Sequence, residues 1–588
     1  MTVELLEHLN VAEAFAARAA AHPERNALTI VRSSAETEQE TVSYGELARR
    51  VRRRAERLAA RFAPGERVLV ALPTGTAFVE VYLACLTAGL VAVPAPVPGD
   101  SANATDRVAG IAEDCAPALV IAEVGAWAPL AERLRGHGPV VEAAGEAGPG
   151  DGPVPYRGDR DTLAVLQYSS GSTGSPRGVM LSHGNVLANT TAFCAATGVG
   201  PEDSFGIWLP LHHDMGLFGQ LTTALLLGAP IVLMAPTVFV RRPVEWLRMI
   251  DRHGITVTAG PDFAYDLCLR LVTDDMLDGV DLSRLRVAFN GAEPIQVPTM
   301  TAFTRRFARA GLRPDVMSPA YGLAEATVYA TAVPVGRAPT VLVADPARLA
   351  AAEHPRLCLA ENYAGREITS VGRPENPEIR IVDPATRHAL PAGSVGEIWV
   401  RGPNVGSGYW GRPELDAQVF AARLEGTGVD ERATESWLRT GDLGALVDGE
   451  LFVTGRLKEM LVVRGRNLFP HDLEQEARAA HQALRGHVGA AFAVAAPDER
   501  IVLVHEVAPR TADDELPRAA AAVSRRLTTA CGVPVHNVLL VRRGTVRRTT
   551  SGKIRRSEMR DRFLAGDITA LHTELDREVR QLRAGGTQ

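Results

Sequence analysis

The chain has 588 residues, 46% of them apolar and 22% charged, and a formal net charge of −6. That length exceeds what one hydrophobic core supports, so two to four domains are expected. The acidic balance argues against nucleic acid as the main partner.

The start, MTVELLEHLNVAEAFAARAAAHPE, is amphipathic and carries acids, unlike the basic-then-apolar pattern of a signal peptide. No run of about 18 uncharged apolar residues follows, so no membrane span is expected. The stretch YGELARRVRRRAERLAARFA (44–63) predicts a helix, RVLVALP (67–73) a strand, and TAFVEVYLACLTAGL (76–90) a second helix. Further apolar β-type runs lie at ALVIAE (118–123), TLAVLQYSS (162–170), PIVLM (230–234) and LRVAFNG (285–291). Continuous apolar strands separated by helices imply an α/β fold with parallel sheets buried on both faces. Near residue 395 the pattern shifts: VGEIWVRGPNVGSGYWGR has Gly-rich turns and alternation, and predicts a small β-rich subdomain over about 370–455. After GRLKEMLVVRGRNLFP (455–470) a compact α+β stretch of about 100 residues follows, and RAGGTQ reads as a frayed tail. The expected division is a large domain over 1–455 and a small one over 456–588. The six cysteines (Cys85, Cys115, Cys194, Cys268, Cys358, Cys531) show no CxxC and no metal-type spacing. They read as reduced, mostly buried thiols of a cytoplasmic protein, with no structural zinc.

The sharpest motif is LQYSSGSTGSPRGVMLSHGNVLAN (166–189). A strand runs into Ser169, Ser170, Gly171, Ser172, Thr173 and Gly174, with Arg177 just beyond. Small hydroxyl and glycine residues let backbone N–H groups close on phosphate oxygens. The Walker spacing GxxxxGK[ST] is absent. A Ser/Gly linker is the alternative, but linkers rarely stand between a strong strand and a patterned helix. A second signal is the use of lysine. Of 63 basic residues only Lys458 and Lys553 are lysines. Arg is a planar fork and Lys a compact point charge, so the two differ where one charge must reach one atom.

With these residues in view, the chain resembles the adenylate-forming enzymes: acyl-CoA synthetases, nonribosomal peptide adenylation domains and luciferases. Their phosphate signature usually has Lys where this chain has Arg177. PLHHDMGLFGQ (210–220) resembles the family's acyl-site segment, with His213 approaching the acyl carboxylate and α-phosphate. FNGAEP (289–294) resembles the adenine-side loop: Asn290, Gly291, Ala292 and Glu293. YGLAEATVYAT (321–331) implies Tyr321, Gly322 and Ala324 beside adenine and Glu325 on Mg²⁺, with Thr173 the other metal-side residue. TGDLGAL (440–446) supplies Asp442 for the ribose hydroxyls, and GRLKEMLVVRGRN (455–467) the nucleotide-side Arg456 and a hinge at 455–459 around Lys458. TTSGKIRR (549–556) resembles the catalytic-lysine loop. Any one motif is weak: a lone histidine is more often structural and a lone aspartate more often surface charge. Seven in family order carry the resemblance. It implies ATP and Mg²⁺ as cofactors, and Lys553, His213 and Glu325 as the catalytic residues.

The expected chemistry follows from charge. A carboxylate attacks the α-phosphate of ATP, two anions meet, and positive charge must stand where negative charge builds up. A guanidinium is too wide for the gap between them, which explains a retained Lys553. The acyl pocket is expected around Trp208, Asp214, Met215, Gly216, Ala259 and Gly260, with Met234, Phe239 and Val240 as further walls. The segment 333–369, VPVGRAPTVLVADPARLAAAEHPRLCLAENYAGREIT, resembles the insertion of fatty acyl-AMP ligases, which braces two domains and disfavours coenzyme A. The substrate implied is a fatty acid, and the acceptor a separate holo acyl carrier protein of polyketide or lipopeptide assembly. A fatty acyl-CoA synthetase, or a silent relative that binds an acyl adenylate or a partner protein, are the alternatives. An amino-acid adenylation domain fits less well, although Asp262 and Asp266 stand where such enzymes place the residue for the substrate amine.

Overall fold

The structure is a computed structural model. It describes residues 5–31, 40–98, 102–123, 130, 132, 134, 140–143, 158–169, 176–351, 355–357, 365–425, 436–464, 466–496, 498–548 and 553–584.

Helix Tyr44–Ala59 shows how local sequence builds this fold. Ser43 caps it by accepting from the Glu46 N–H at 3.2 Å. Tyr44, Leu47, Val51, Ala55 and Leu58 recur at helical spacing and are buried, while Arg49 and Arg50 stay outside and pair with Glu46. Helix Thr76–Thr87 is mostly apolar and buried throughout its middle, with Glu80 paired to Arg50 at 3.3 Å and Arg54 at 3.5 Å.

Two large sheets form the body of the molecule. In the first, six strands run in the order Val140–Ala143, Leu119–Ala122, Arg67–Ala71, Val91–Pro94, Leu163–Ser169, Arg177–Ser182. All its pairings are parallel except the last. The second has eight strands, in the order Thr331–Ala332, Met317–Tyr321, Val287–Asn290, Val257–Gly260, Phe205–Ile207, Ile231–Met234, Asn26–Val31, Glu40–Ser43. Its pairings are parallel except at the two edges. The apolar runs expected to be strands all are. Parallel pairing puts the carboxyl ends of Phe205–Ile207, Val257–Gly260, Val287–Asn290 and Met317–Tyr321 on one rim, where open α/β sheets bind ligands. Three of the motifs, at 210–220, 289–294 and 321–331, begin on that rim.

One local expectation is corrected. Strand Leu163–Ser169 is not followed next by a helix: it pairs antiparallel with Arg177–Ser182, Ser169 opposite Arg177, and the helix His183–Thr197 starts only after that return strand. Val179 and Leu181 alternate into the core, a period-two pattern that holds this stretch at the sheet edge. Gly178 is needed there, because a Cβ would meet the Tyr168 ring at 2.9 Å. Ser182 and Asn185 then start the helix with a reciprocal capping box.

Beyond these sheets an antiparallel sheet joins Glu378–Val382, Gly396–Arg401, Leu438–Val447 and Glu450–Arg456. The last part of the chain is a four-stranded sheet of Gly489–Ala496, Asp498–Glu506, Asn537–Val541 and Ala570–Glu574. Leu503, Val538 and Leu540 face helices Pro470–Ala480 and Glu515–Cys531. Phe492, Val504 and Leu539 face helices Arg556–Leu564 and Arg577–Ala584. Alternate residues thus fill two layers. Cys85, Cys115, Cys194 and Cys268 are buried free thiols, while Cys358 lies outside the described residues.

Within 333–369, strand Val341–Ala344 pairs antiparallel with Arg366–Thr369. Its short helix Pro346–Leu349 sends Leu349 into a cluster with Phe452 and Phe469, and Ala350 into the core of the last part of the chain. The Asn467 backbone N–H donates to the Ala350 carbonyl and its side chain to that of Ala351, both at 2.9 Å. Arg366 reaches Asp472 at 2.8 Å, the His471 ring at 2.8 Å and the Thr454 carbonyl at 3.2 Å. The segment therefore ties the β-rich sheet to the residues just after it.

Candidate active site

Parallel strand ends, the antiparallel sheet and the last part of the chain surround one cavity of about 2350 Å³. His213, Glu325 and Lys553, expected to be catalytic, all line it, as do Arg177, Tyr321, Gly322, Ala324, Asp442, Arg456 and Lys458.

Asp442 lies on strand Leu438–Val447 directly across from Arg456. It is 6% exposed. One carboxylate oxygen accepts from Arg456 Nε at 2.8 Å and the other from the Tyr321 hydroxyl at 2.9 Å. A carboxylate has about four lone-pair positions, so two remain for hydroxyls of a ligand. Asp442 in turn holds the Arg456 guanidinium well above its ordinary value, while burial first, and then Asp442, raise the Tyr321 phenol.

Glu325 sits on the short 3₁₀ turn Ala324–Ala326 and accepts from the Tyr409 hydroxyl at 2.7 Å. Arg177 stands over the Tyr409 ring at 5.8 Å. The turn is built under constraint. A Cβ on Gly322 would lie 1.5 Å from the Val328 carbonyl oxygen, so no other residue fits there. Thr327 has φ 66°, and its hydroxyl is fixed on the Asn404 carbonyl at 2.7 Å. Asn404 itself donates to the Ala326 and Tyr329 carbonyls. Such a held, unfavourable backbone is typical of binding sites. On the adenine-side loop Ala292 also has φ 66°.

Asp262, next along the rim, accepts from Asn290 Nδ2 and from the Gln296 N–H, each at 3.0 Å. Its carboxylate therefore orders the adenine-side loop from the cavity wall. Burial pushes it up to about 6. Glu293 accepts from the Phe263 N–H at 2.6 Å, and desolvation together with Asp262 pushes it up to about 7.

At the acyl-site segment, His213 Nδ1 lies 2.6 Å from Asp214 Oδ1, and that oxygen also accepts from the Met215 N–H at 2.7 Å. Burial acts to raise Asp214, but His213 and Lys553 outweigh it and its pKa is lowered. Lys553 likewise acts on Glu293. Lys553, which lines the cavity, thus acts electrostatically on both the acyl-site segment and the adenine-side loop. An antiparallel bridge between Arg548 and Ile554 closes its loop, and Arg556 anchors it. Arg556 Nε and Nη2 each bond Glu474 at 2.8 Å, and Nη1 bonds Glu459 at 2.7 Å.

Not every expected residue is on the cavity wall. Ser170, Gly171, Ser172, Thr173 and Gly174 lie outside the described residues, and Ser169 is seen only as the strand end opposite Arg177. Asn290 is fully buried behind the loop, turned to Asp262. Of the acyl candidates, Asp214, Met215, Ala259 and Val240 line the cavity, but Trp208, Met234, Phe239, Gly216 and Gly260 do not. Trp208 stacks at 3.9 Å on Phe239 and contacts Trp246, an aromatic core behind the rim. A Cβ on Gly216 would lie 2.5 Å from the Pro210 carbonyl oxygen, so this glycine serves the turn. Two residues were missed. Tyr409, within GYWGR, had no signal beyond its aromatic ring. Arg107, on helix Ala102–Cys115, lines the cavity with Arg555; burial and then Arg555 lower its pKa.

Residues 15–410 match the family model of AMP-binding enzymes. The 4-hydroxyphenylalkanoate adenylyltransferase of Mycobacterium tuberculosis is 38% identical over 554 residues, covering 90% of this chain and 88% of that protein. A Mycobacterium tuberculosis protein named as a fatty-acid–CoA ligase, FadD25, is 35% identical over 580 residues, 94% of this chain and 97% of its own. Among solved structures, a fatty acyl-adenylate ligase from L. pneumophila in complex with acyl adenylate and pyrophosphate matches with TM-score 0.73 and 30% identity, covering 97% of this chain and 98% of that one. A structure from a study of such ligases from E. coli and L. pneumophila matches with TM-score 0.84 and 29% identity, over 95% and 97% of the two chains.

Proposed function

Because the chain belongs to the AMP-binding enzyme family, we propose that this adenylate-forming ligase activates a fatty acid as its acyl-AMP and passes the acyl group to the phosphopantetheine thiol of a separate acyl carrier protein, in the cytoplasm. In the first step the carboxylate oxygen bonds to the α-phosphorus of ATP and pyrophosphate leaves. In the second the thiol sulfur bonds to the acyl carbon, AMP leaves, and the thiol proton is released.

The residues divide the work by charge. Asp442 takes the ribose hydroxyls on its remaining lone pairs. Tyr321 and the Gly291–Glu293 loop flank the adenine. Arg177 and Arg107 face the departing pyrophosphate. His213, held by Asp214, approaches the acyl carboxylate, and the Lys553 ammonium bridges carboxylate and α-phosphate where charge builds up. Mg²⁺ would be held by Glu325 and Thr173 and would neutralise phosphate oxygens. Among the described residues no three His, Cys, Asp or Glu converge on a metal position, which suits an ion that takes one or two protein oxygens plus phosphates and water. Among the described residues no helix is long and apolar enough to cross a membrane.

The observation that carries the choice of acceptor is the double attachment of 333–369, to the β-rich sheet and to the residues following it. Thiol transfer needs the last part of the chain to turn about 455–459. The attachment opposes that turn, and a docked carrier protein offers more binding energy to offset it than coenzyme A does. The test is ATP-dependent turnover of a fatty-acid panel, followed by mass spectrometry, with no acceptor, with coenzyme A and with a holo carrier protein. Acyl-AMP and acylated carrier without acyl-CoA is the expected result. Efficient acyl-CoA formation would make the protein a fatty acyl-CoA synthetase, and no adenylate from any acid would make it a silent binder.

A further inference from the structure

Tyr409 stands where two motifs distant in sequence meet, and its backbone is fastened on both sides. The Ser407 N–H donates to the Met180 carbonyl at 3.1 Å, the Met180 N–H to that of Gly408 at 2.8 Å and the Trp410 N–H to that of Gly178 at 2.8 Å. These bonds lay residues 407–410 along the return strand Arg177–Ser182, with Val179 opposite Tyr409. On the other side the Gly406 N–H donates to the Glu325 carbonyl at 2.9 Å. The Tyr409 N–H donates to Asp416 at 2.7 Å, and its ring meets that of Phe420 edge-on, centroids 5.1 Å apart. With backbone and ring both held, the phenol can take few other positions.

The side chain is 5% exposed, yet it lines the cavity together with Glu325 and Arg177. Its hydroxyl donates to Glu325 Oε1 at 2.7 Å, and the Arg177 guanidinium stands 5.8 Å from its ring centroid. A phenol keeps its proton at neutral pH and can only donate to a carboxylate. The bond therefore fixes which Glu325 oxygen faces the protein. Among the described residues the other oxygen, Oε2, meets no donor. Mg²⁺ demands a near-ideal octahedron, which one carboxylate oxygen suits better than a two-oxygen bite. The face of the ring is negative and draws the guanidinium over it. One neutral side chain thus touches both an anion and a cation of the phosphate end of the cavity.

We propose that Tyr409 is a positioning residue for the first half-reaction alone: its hydroxyl leaves Glu325 one oxygen for Mg²⁺, and its ring sets Arg177 against the pyrophosphate, so a single side chain fixes the spacing of the two. This rests on the acyl-activating reading of the site. Transfer of the acyl group takes place after pyrophosphate has left, and has no use for that spacing.

Isothermal titration of the full-length enzyme with pyrophosphate, at a series of Mg²⁺ concentrations, tests this without turnover. Tyr409→Phe keeps the ring. It is expected to raise the Mg²⁺ needed for half-maximal binding at least about tenfold, the scale for a lost partner of a metal ligand, and to leave metal-free binding within about twofold. Tyr409→Leu removes the ring as well, and is expected to weaken metal-free binding about fivefold, the scale of one cation–π contact. Acyl transfer from supplied dodecanoyl-AMP to a holo carrier protein should stay within about twofold of the parent in Tyr409→Phe. An unchanged Mg²⁺ requirement in Tyr409→Phe, or unchanged metal-free binding in Tyr409→Leu, overturns the inference. A tenfold fall in acyl transfer in Tyr409→Phe also overturns it, because it marks a merely structural role. Tyr409→Phe decides even where Tyr409→Leu folds poorly. A parent enzyme that forms no acyl-AMP from any acid refutes the acyl-activating reading, and the pyrophosphate titrations still decide the role of Tyr409.

Discussion

At the scale of single residues the site is a matter of which charge reaches which atom. Lys553 acts on Asp214 and Glu293 from a part of the chain otherwise almost free of lysine. Lys553→Ala and Lys553→Arg are both expected to lower acyl-AMP formation at least about a hundredfold, the usual scale for one transition-state charge contact; a Lys553→Arg enzyme that stays active in a mass-spectrometric assay would sink the shape argument. Glu293 gives a pH dependence of known sign. Its carboxyl is raised to about 7 in the folded chain. The folded state then holds this proton more tightly than the unfolded one. Its contribution is fully present below the ordinary carboxylate range and is lost as pH rises through about 7. Urea unfolding should show Glu293→Gln gaining stability over the parent by about 2 kcal/mol between pH 5 and 8. An identical pH slope in both proteins would contradict the assignment. Asp442, Tyr321 and Arg456 were legible because each belongs to a motif with a fixed neighbour. Trp208 and Met234 were not, because apolar side chains that line a pocket and those that fill a core have the same chemistry.

At the scale of elements, the strands and the first helices followed from periodicity. The hairpin at Arg177–Ser182 did not, since a short apolar stretch before a capped helix is compatible with either continuation. The lysine loop shows why an element needs an anchor. Arg556 starts helix Arg556–Leu564 and joins Glu474, 4% exposed, to Glu459 beside the expected hinge. Arg556→Met leaves the buried Glu474 charge without its fork, and is expected to cost about 3 kcal/mol in denaturant unfolding. Arg556→Lys, with one donor point in place of a fork, should recover less than half of that. Full recovery would mean that charge alone holds the loop.

At the scale of the molecule, the cavity exists only where the rim of the parallel sheet, the β-rich sheet and the last part of the chain meet. The segment 333–369 touches both the β-rich sheet and the residues after it through Arg366, Ala350 and Leu349. Arg366→Ala is expected to raise the ratio of acyl-CoA to acyl-AMP at least about tenfold, the effect of about 1.4 kcal/mol on the turning step. A ratio unchanged in a coupled thiol assay would reduce the segment to a passive insertion.

The sequence by itself determined the α/β class, the adenylate-forming family and the order of its motifs along the chain. These rest on local patterning and on residue types that chemistry restricts. Only the tertiary structure decided that Asp262 serves the adenine-side loop, that Tyr409 reaches Glu325, that Trp208 belongs to the core and that Arg107 lines the cavity. Each of these is a contact, or a cavity position, set by how strands and helices distant in sequence pack. Residue identity names the groups a side chain can offer; packing decides which of them is left over for a ligand.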